Sequence, residues 1–325
     1  MVANRMPRLI IIVGPTGVGK TELALRMAEV SGGEIISADS MQVYRYMDIG
    51  TAKPAEADRT IAPHHLIDLV DPDESFNAAM YAKLAREVIQ EAEGKDKTFF
   101  IVGGAGLYIR ALLGGIFSGP GADEPLREYY RNQLKRFGKE YLYRILKEKD
   151  EKAADAIKQG DTVRIIRALE VFELTGKSIL DKQQEHHFGD RPYNCLKIGL
   201  MMEKGQLFER IEKRTEAMMA AGFIDEVRWL LDQGYHEGLK SMQSLGYRHM
   251  VRYLRGLSNL QDAVYSMKRD TRHYAKRQMT WFTADREINW FSFDDAASIG
   301  ERVRSFLRGA VYGVRSAGNA QNILT

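Results

Sequence analysis

The sequence predicts an α/β fold: a parallel-sheet core, an all-helical insertion and a largely helical C-terminal part. Three observations predict it. The apolar run Leu9-Ile10-Ile11-Ile12-Val13 leads through a glycine-rich turn into the helix-like Glu22-Leu23-Ala24-Leu25-Arg26-Met27-Ala28, the order of a βα unit. A second apolar run, Thr98-Phe99-Phe100-Ile101-Val102, has the unbroken texture of a strand covered on both faces. That texture vanishes after Phe117-Ser118-Gly119-Pro120-Gly121 and returns at Leu196-Lys197-Ile198-Gly199-Leu200-Met201-Met202.

Taken in order, residues 8 to 13 read as a buried parallel strand and 20 to 30 as its helix. Residues 33 to 40 read as a short strand running into a polar loop, and 63 to 70 as a third. Ser75 is the expected N-cap of a helix from about Asn77 to Glu93, with apolar residues at 81, 84, 85, 88, 89 and 92. The insertion, 118–194, carries charged amphipathic helices such as 128 to 137 and 162 to 175. Residues 195–310 return to the core with one strand and helices over 206–221, 223–233, 245–255 and 261–282. The first core segment is thus 1–117, and 311–325, rich in Gly, Ser and Asn, reads as a weakly ordered tail.

Composition narrows the class. Of 325 residues 44% are apolar and 28% charged, as in soluble globular proteins. The net charge of +3 is too small to imply a nucleic-acid partner by itself. A single cysteine, Cys195, excludes an intrachain disulfide and a multi-cysteine zinc site. The first apolar run is too short for a membrane span or signal peptide, so a cytoplasmic location is expected. Nothing resembles a dimerisation zipper, and a monomer is expected.

The turn after the first strand, Gly14-Pro15-Thr16-Gly17-Val18-Gly19-Lys20-Thr21, matches the phosphate-loop pattern at every fixed position and in the strand-to-helix setting. Glycines let backbone N–H groups close on phosphate oxygens, and the helix N-terminus adds partial positive charge. Lys20 would neutralise a terminal phosphate of a diphosphate or nucleotide, and the Thr21 hydroxyl would reach a Mg²⁺ ion. Asp39, at the end of the second strand, is expected to face this site. It reads as a general base, as a carboxylate holding the water shell of Mg²⁺, or as a turn residue. Ser40 and Gln42 offer groups that can read a base edge. The strand ending at Val102 continues into Gly103-Gly104, which permits close approach of a ligand but offers no carboxylate to organise water.

Basic residues cluster at Lys268, Arg269, Arg272, His273, Lys276 and Arg277, and again at Arg248, Arg252 and Arg255. A solvated helix face is the simpler reading; the repetition points to a nucleic-acid backbone. Arg164 and Arg167 lie one turn apart and could clamp phosphates. Arg210 and Arg214, four apart, could face the diphosphate or pair at the surface. His64-His65 and His186-His187 are poor metal ligands, since adjacent side chains point apart.

These motifs together resemble the tRNA dimethylallyltransferase (tRNA isopentenyltransferase) family. The resemblance rests on residues 14 to 21, Asp39-Ser40-Met41-Gln42-Val43-Tyr44-Arg45, Gly50-Thr51-Ala52-Lys53-Pro54, and Gly103-Gly104-Ala105-Gly106-Leu107-Tyr108. It continues through Arg164-Ile165-Ile166-Arg167-Ala168-Leu169-Glu170, Ser241-Met242-Gln243-Ser244-Leu245-Gly246-Tyr247, and the stretch from Thr271 to Phe282. It implies transfer of a dimethylallyl group from its diphosphate to N6 of an adenine beside the tRNA anticodon. The implied roles are Asp39 as general base, Thr21 as the Mg²⁺ contact, and Arg214 with the loop on the leaving diphosphate. The implied tRNA contacts, on the anticodon stem-loop, are Asp39, Ser40, Met41, Gln42, Ala105, Arg127, Arg164, Arg167, Arg272, Lys276 and Arg277. The family usually has Thr at Ala105, and His-Pro-Asn-Asp where this chain has Lys158-Gln159-Gly160-Asp161.

Rival readings are a prenyltransferase acting on free adenylate, a small-molecule kinase, and a tRNA-binding protein without catalysis. A free nucleotide needs neither the helical insertion nor the basic helices; a kinase would use ATP and no allylic diphosphate.

Overall fold

Six parallel strands form one sheet in the order β3-β2-β4-β1-β5-β6. They are β1 (Arg8–Val13), β2 (Glu34–Ser37), β3 (His64–His65), β4 (Phe99–Val102), β5 (Asn194–Met201) and β6 (Asn289–Ser292). The structure is a computed structural model and describes residues 8–92, 97–115, 119–181 and 192–309. The expected histidine pair at 186–187 and the tail from 311 lie outside the described residues.

The central strands are apolar because both their faces are covered. Leu9 to Val13 and Phe99 to Val102 are all buried, and such strands need no polar alternation. Ile10, Ile12, Phe100, Ile198 and Leu200 share one core with Leu23 and Ala28 of α1 (Lys20–Ser31), Leu207 and Ile211 of α8 (Lys204–Ala220), and Ala275 of α11 (Leu260–Phe282). Strand β1 lies between β4 and β5, in register Ile12 to Val102 and Ile12 to Ile198. The chain leaves β1 at its carboxyl end, so the phosphate loop sits where open α/β sheets bind ligands.

Several expected bounds move for identifiable reasons. The third strand has two residues instead of eight, because Leu66 (φ 61°) and Asp68 (φ 56°) adopt left-handed backbone that breaks the extended run. Asn77, in place of Ser75, caps α3 (Ala78–Glu91), its side chain accepting from the N–H groups of Ala79 and Met80. Strand β6 is an element the sequence pattern does not announce. It is short, lies at the sheet edge and is only partly buried, so it lacks a continuous apolar run.

The motif from Gly50 to Pro54 is a structural latch. The Glu226 carboxylate, on α9 (Phe223–Asp232), accepts from the N–H groups of Asp48, Ile49 and Gly50 at 2.9, 2.7 and 3.1 Å. The Lys53 side chain, 1% exposed, is paired with Asp48 and Asp68 and donates to the Tyr44 carbonyl. A buried ammonium without such partners would lose its proton or unfold its surroundings.

Residues Gly114–Asp190 form a separate compact unit. It contains α5 (Glu124–Lys149, broken at Gly138 where φ is +84°), α6 (Glu151–Ala156) and α7 (Thr162–Thr175) around Tyr130, Leu142, Leu146, Ile165 and Leu169. Asp161 caps α7 by accepting from the Arg164 N–H, so the Lys158 to Asp161 turn still starts the helix. In this unit Glu170 is fully buried and binds Arg127 twice (2.8 and 3.0 Å), Arg167 (2.6 Å) and the Asp123 N–H (2.7 Å). Burial alone would raise its pKa; the two guanidinium groups and the amide outweigh this and hold it below the ordinary value.

Among the described residues no helix is long and apolar enough to cross a membrane. The Glu170 cluster gives a stability test. Glu170→Ala strands two half-buried cations and should destabilise this unit by about 3 kcal/mol, read from urea melts. With a depressed pKa, Glu170 contributes fully above its unfolded value (~4.3) and the contribution is lost as pH falls through its lower folded pKa. The variant should therefore lose less stability on acidification than the wild type.

Candidate active site

The loop between β1 and α1 wraps on itself because three glycines adopt positive φ: Gly14 (146°), Gly17 (86°) and Gly19 (102°). A Cβ at Gly14 would fall 2.6 Å from the Leu200 carbonyl oxygen, and one at Gly19 inside the Phe293 ring. The loop is therefore packed into place by β5 and the segment after β6. Lys20 folds back over it, its ammonium donating to the carbonyls of Gly14 (3.0 Å) and Pro15 (2.8 Å).

A cleft of about 560 Å³ opens above this loop, lined by Lys20, Thr21, Asp39, Arg214, Tyr274 and Gln278 among others. Arg214, on α8, donates from Nη1 to the Thr16 hydroxyl at 3.1 Å. Burial first, then the neighbouring Arg214 charge, push Lys20 from 10.5 down to about 7, against the opposing pull of Asp39. Arg214 is likewise lowered by burial and supported by Asp39. Burial and the Asp39 charge push the Tyr274 phenol upward, so it stays protonated.

Three carboxylates line the cleft: Glu22, Asp39 and Asp58. Glu22 pairs with Arg26 (2.6 Å), and Asp58 accepts from the Ala55 N–H (3.1 Å). Asp39 Oδ1 accepts from the Met41 N–H at 2.8 Å, a turn of aspartate onto its own backbone. Asp39 is thus both a turn residue and a cleft carboxylate, because the turn occupies one oxygen of two.

The expected site residues distribute unevenly. Gly14 to Thr21, Asp39 and Arg214 come together. Gln42 also lines the cleft, but its amide accepts from Ser37 (2.9 Å) and donates toward the Thr51 and Ala52 carbonyls. Ser40 and Met41 are half-buried beside Asp39. The Ala105 N–H donates to the Ala38 carbonyl at 3.1 Å. Arg210 lines the cleft too, over the Phe293 ring and 3.7 Å from Glu22.

The basic residues divide between paired and exposed. Lys268 pairs with Glu216, Arg269 with Asp270, and Arg272 with Glu212, while Arg248 pairs with Asp270 and Arg255 with Glu237. Lys276 and Arg277 are exposed, Arg277 lying 5.7 Å from the Tyr274 ring centre. Arg164 and Arg167 do not act as a pair: Arg164 is exposed beside Asp161, while Arg167, like Arg127, is turned onto Glu170. His65 binds Glu34 and His64 the Ala62 carbonyl. Burial pushes the Cys195 thiol up to about 12.

Gly103 and Gly104 line the cleft and also let protein pack closely against them. A Cβ at Gly103 would lie 2.0 Å from the Ala38 oxygen, and one at Gly104 1.9 Å from Gln278 Nε2. Their missing side chains make room for protein as well as for a ligand. Gln278 and Tyr274 went unassigned in the sequence although both lie in the Thr271 to Phe282 motif. The available signal was period: Ala275, Gln278, Met279 and Phe282 share the buried side of α11.

The fold and loop define a phosphate-loop α/β protein with a carboxylate and an arginine facing the loop. Residues 42–285 match the family described as IPP transferase. The chain is 58% identical over 303 residues to a protein named tRNA dimethylallyltransferase 2 from Syntrophus aciditrophicus, covering 93% of this chain and 97% of that one. It is 47% identical over 283 residues to the tRNA dimethylallyltransferase of Geobacter sulfurreducens, covering 87% and 91%. The crystal structure of the full-length tRNA isopentenylpyrophosphate transferase from Bacillus halodurans superposes with a TM-score of 0.70 at 38% identity, over 94% of this chain and 97% of that one. A eukaryotic dimethylallyltransferase acting on tRNA shares the fold, with a TM-score of 0.78 at 24% identity. The chain belongs to the IPP transferase family and is a transferase.

The lowered Lys20 pKa makes a prediction. A diphosphate favours the charged ammonium, so binding at pH 8 should take up close to one proton. Affinity should then fall as pH rises above about 7. Calorimetry of a diphosphate analogue in buffers of different ionisation enthalpy reads the uptake, and Lys20→Met should abolish it.

Proposed function

We propose that this transferase moves a dimethylallyl group from dimethylallyl diphosphate to N6 of an adenine beside the anticodon of tRNA. The observation that carries the reading is the shared cleft: Lys20, Thr21 and Arg214 on one side and the Asp39 carboxylate in the same space. The bond to break joins C1 of the allyl group to the diphosphate oxygen, which keeps the electron pair. The bond to form joins N6 to C1, and the N6 proton passes to Asp39. The allyl group leaves with carbocation character, so the catalytic load falls on the departing diphosphate. Loop N–H groups, Lys20 and Arg214 supply preorganised positive charge there.

The residues present fit Mg²⁺. Thr21 is exposed at the cleft and, with Asp39, offers only hard oxygen donors, to which the diphosphate would add its own. When bound, the ion supplies positive charge that offsets the leaving group. Thr21 would hold it.

Adenine N6 can reach C1 only if the base leaves the anticodon-loop stack. Asp39, Ser40, Met41 and Gln42 would receive it, with Ala105 close by through its bond to Ala38. Lys276, Arg277 and Arg272 on α11 would contact the RNA backbone, and Arg164 of the helical unit would add a phosphate contact. Arg127 and Arg167 would support that unit through Glu170. One copy of the chain holds every residue used, so a monomer suffices, and the location that goes with a tRNA substrate is the cytoplasm.

The direct test incubates the protein with labelled dimethylallyl diphosphate, Mg²⁺ and unmodified tRNA. Label on adenine N6 supports the reading; label on free AMP alone, or phosphoryl transfer from ATP, sinks it. Asp39→Asn should lower kcat by about 10²- to 10⁴-fold with stem-loop affinity kept, measured by single turnover and filter binding. Replacing Lys276 and Arg277 by Ala should weaken stem-loop binding and reduce the salt slope by roughly 0.7 for each lost contact.

A further inference from the structure

Gln278 is 6% exposed, and a buried primary amide has to place both a donor and an acceptor. It does so between two strand ends. Its Oε1 accepts from the Thr16 N–H at 2.8 Å, and its Nε2 donates to the Gly104 carbonyl at 3.2 Å. The Thr16 N–H can only donate and the Gly104 carbonyl can only accept, so the amide has one orientation. Thr16 passes the constraint on, because its hydroxyl accepts from Arg214 Nη1 at 3.1 Å. The result is a continuous chain from β4 through α11 and the phosphate loop to the arginine of α8.

We infer that Gln278 is a positioning residue for the diphosphate site, acting through Thr16 to hold Arg214 over the phosphate loop. The inference rests on the reading that a diphosphate occupies the loop. Gln278 lines the same cleft, but its amide is committed to Thr16 and Gly104, so the role assigned to it is positioning and not chemistry. By taking the Thr16 N–H, Gln278 decides which loop amides stay free for the anion. It also fixes the backbone from which the Thr16 hydroxyl reaches Arg214. Lys20 and Arg214 repel each other in this site while Asp39 attracts both, and the Thr16 hydroxyl fixes where the guanidinium sits between them. Gly104 belongs to the same device, since any side chain there would meet the Gln278 amide at 1.9 Å.

Gln278→Met keeps length and burial while removing the bonds to Thr16 and Gly104 and the amide's contact with the Tyr274 phenol. Inorganic pyrophosphate with Mg²⁺, titrated by calorimetry, should bind about tenfold more weakly to it, as expected for a lost hydrogen bond acting on a charged group. Stem-loop affinity should stay within about twofold. The decisive measurement is a double-mutant cycle. In an Arg214→Ala background Gln278→Met should change pyrophosphate affinity by less than about twofold. An equal tenfold loss in both backgrounds means Gln278 acts by general packing, and overturns the inference. Gly104→Ala should displace the amide from the other side and reproduce both results; it carries the comparison if Gln278→Met melts early. Coupling in pyrophosphate binding without dimethylallyl transfer to tRNA would keep the positioning role and remove the functional reading. Intact transfer with unchanged pyrophosphate affinity in Gln278→Met would do the reverse.

Discussion

Two positive charges are held where water is scarce, and this is the constraint on which the site depends. Lys20 folds onto the carbonyls of Gly14 and Pro15 while Arg214 is fixed to Thr16. The Lys20 proton is loosened until its pKa approaches 7. The fold maintains this arrangement with the buried β1 strand beneath the loop, β5 and α8 delivering Arg214, and α11 closing from above. A multiply charged anion entering the cleft relieves the repulsion at once. Charge placed in advance needs no reorganisation at the moment charge develops, which is what departure of a diphosphate demands.

The parts of this design that follow fixed spacing were legible in the sequence. The phosphate loop declares itself because each position has a distinct backbone or charge requirement. Strands β1 and β4 show as unbroken apolar runs because both faces are covered. Asp39 follows a strand end; Arg210 and Arg214 stand four apart on the helix after the returning strand, and the family resemblance singles out Arg214. The polar alternatives stayed open, since a turn aspartate and a catalytic one have the same neighbours in sequence. In the structure Asp39 makes the turn bond to the Met41 N–H and also lines the cleft, so the turn does not take it away from the site.

What the sequence concealed was tertiary pairing. Arg127, Arg164 and Arg167 look alike as helix-borne cations, yet Glu170 draws two of them inward and leaves the third exposed. The basic run on α11 likewise reads as one surface until Glu212, Glu216 and Asp270 take up Arg272, Lys268 and Arg269. No local pattern reports which acid lies opposite which base. Strand β6 was hidden for a different reason: an edge strand of four residues, half exposed, buries too little to leave a periodic trace.

The end of β4 shows how a missing group can define a site. In phosphate-loop hydrolases a carboxylate there organises the metal and the attacking water. Here Gly103 and Gly104 remove it, and the space is filled by the Ala38 backbone and the Gln278 amide. The exchange has two consequences. The end of β4 supplies backbone where those hydrolases supply a carboxylate. The vacated volume also lets α11 reach the phosphate loop directly. The helix that bears the exposed Lys276 and Arg277 is then the helix whose Gln278 grips Thr16. An exposed basic face and the side that meets the phosphate loop are therefore carried by one helix.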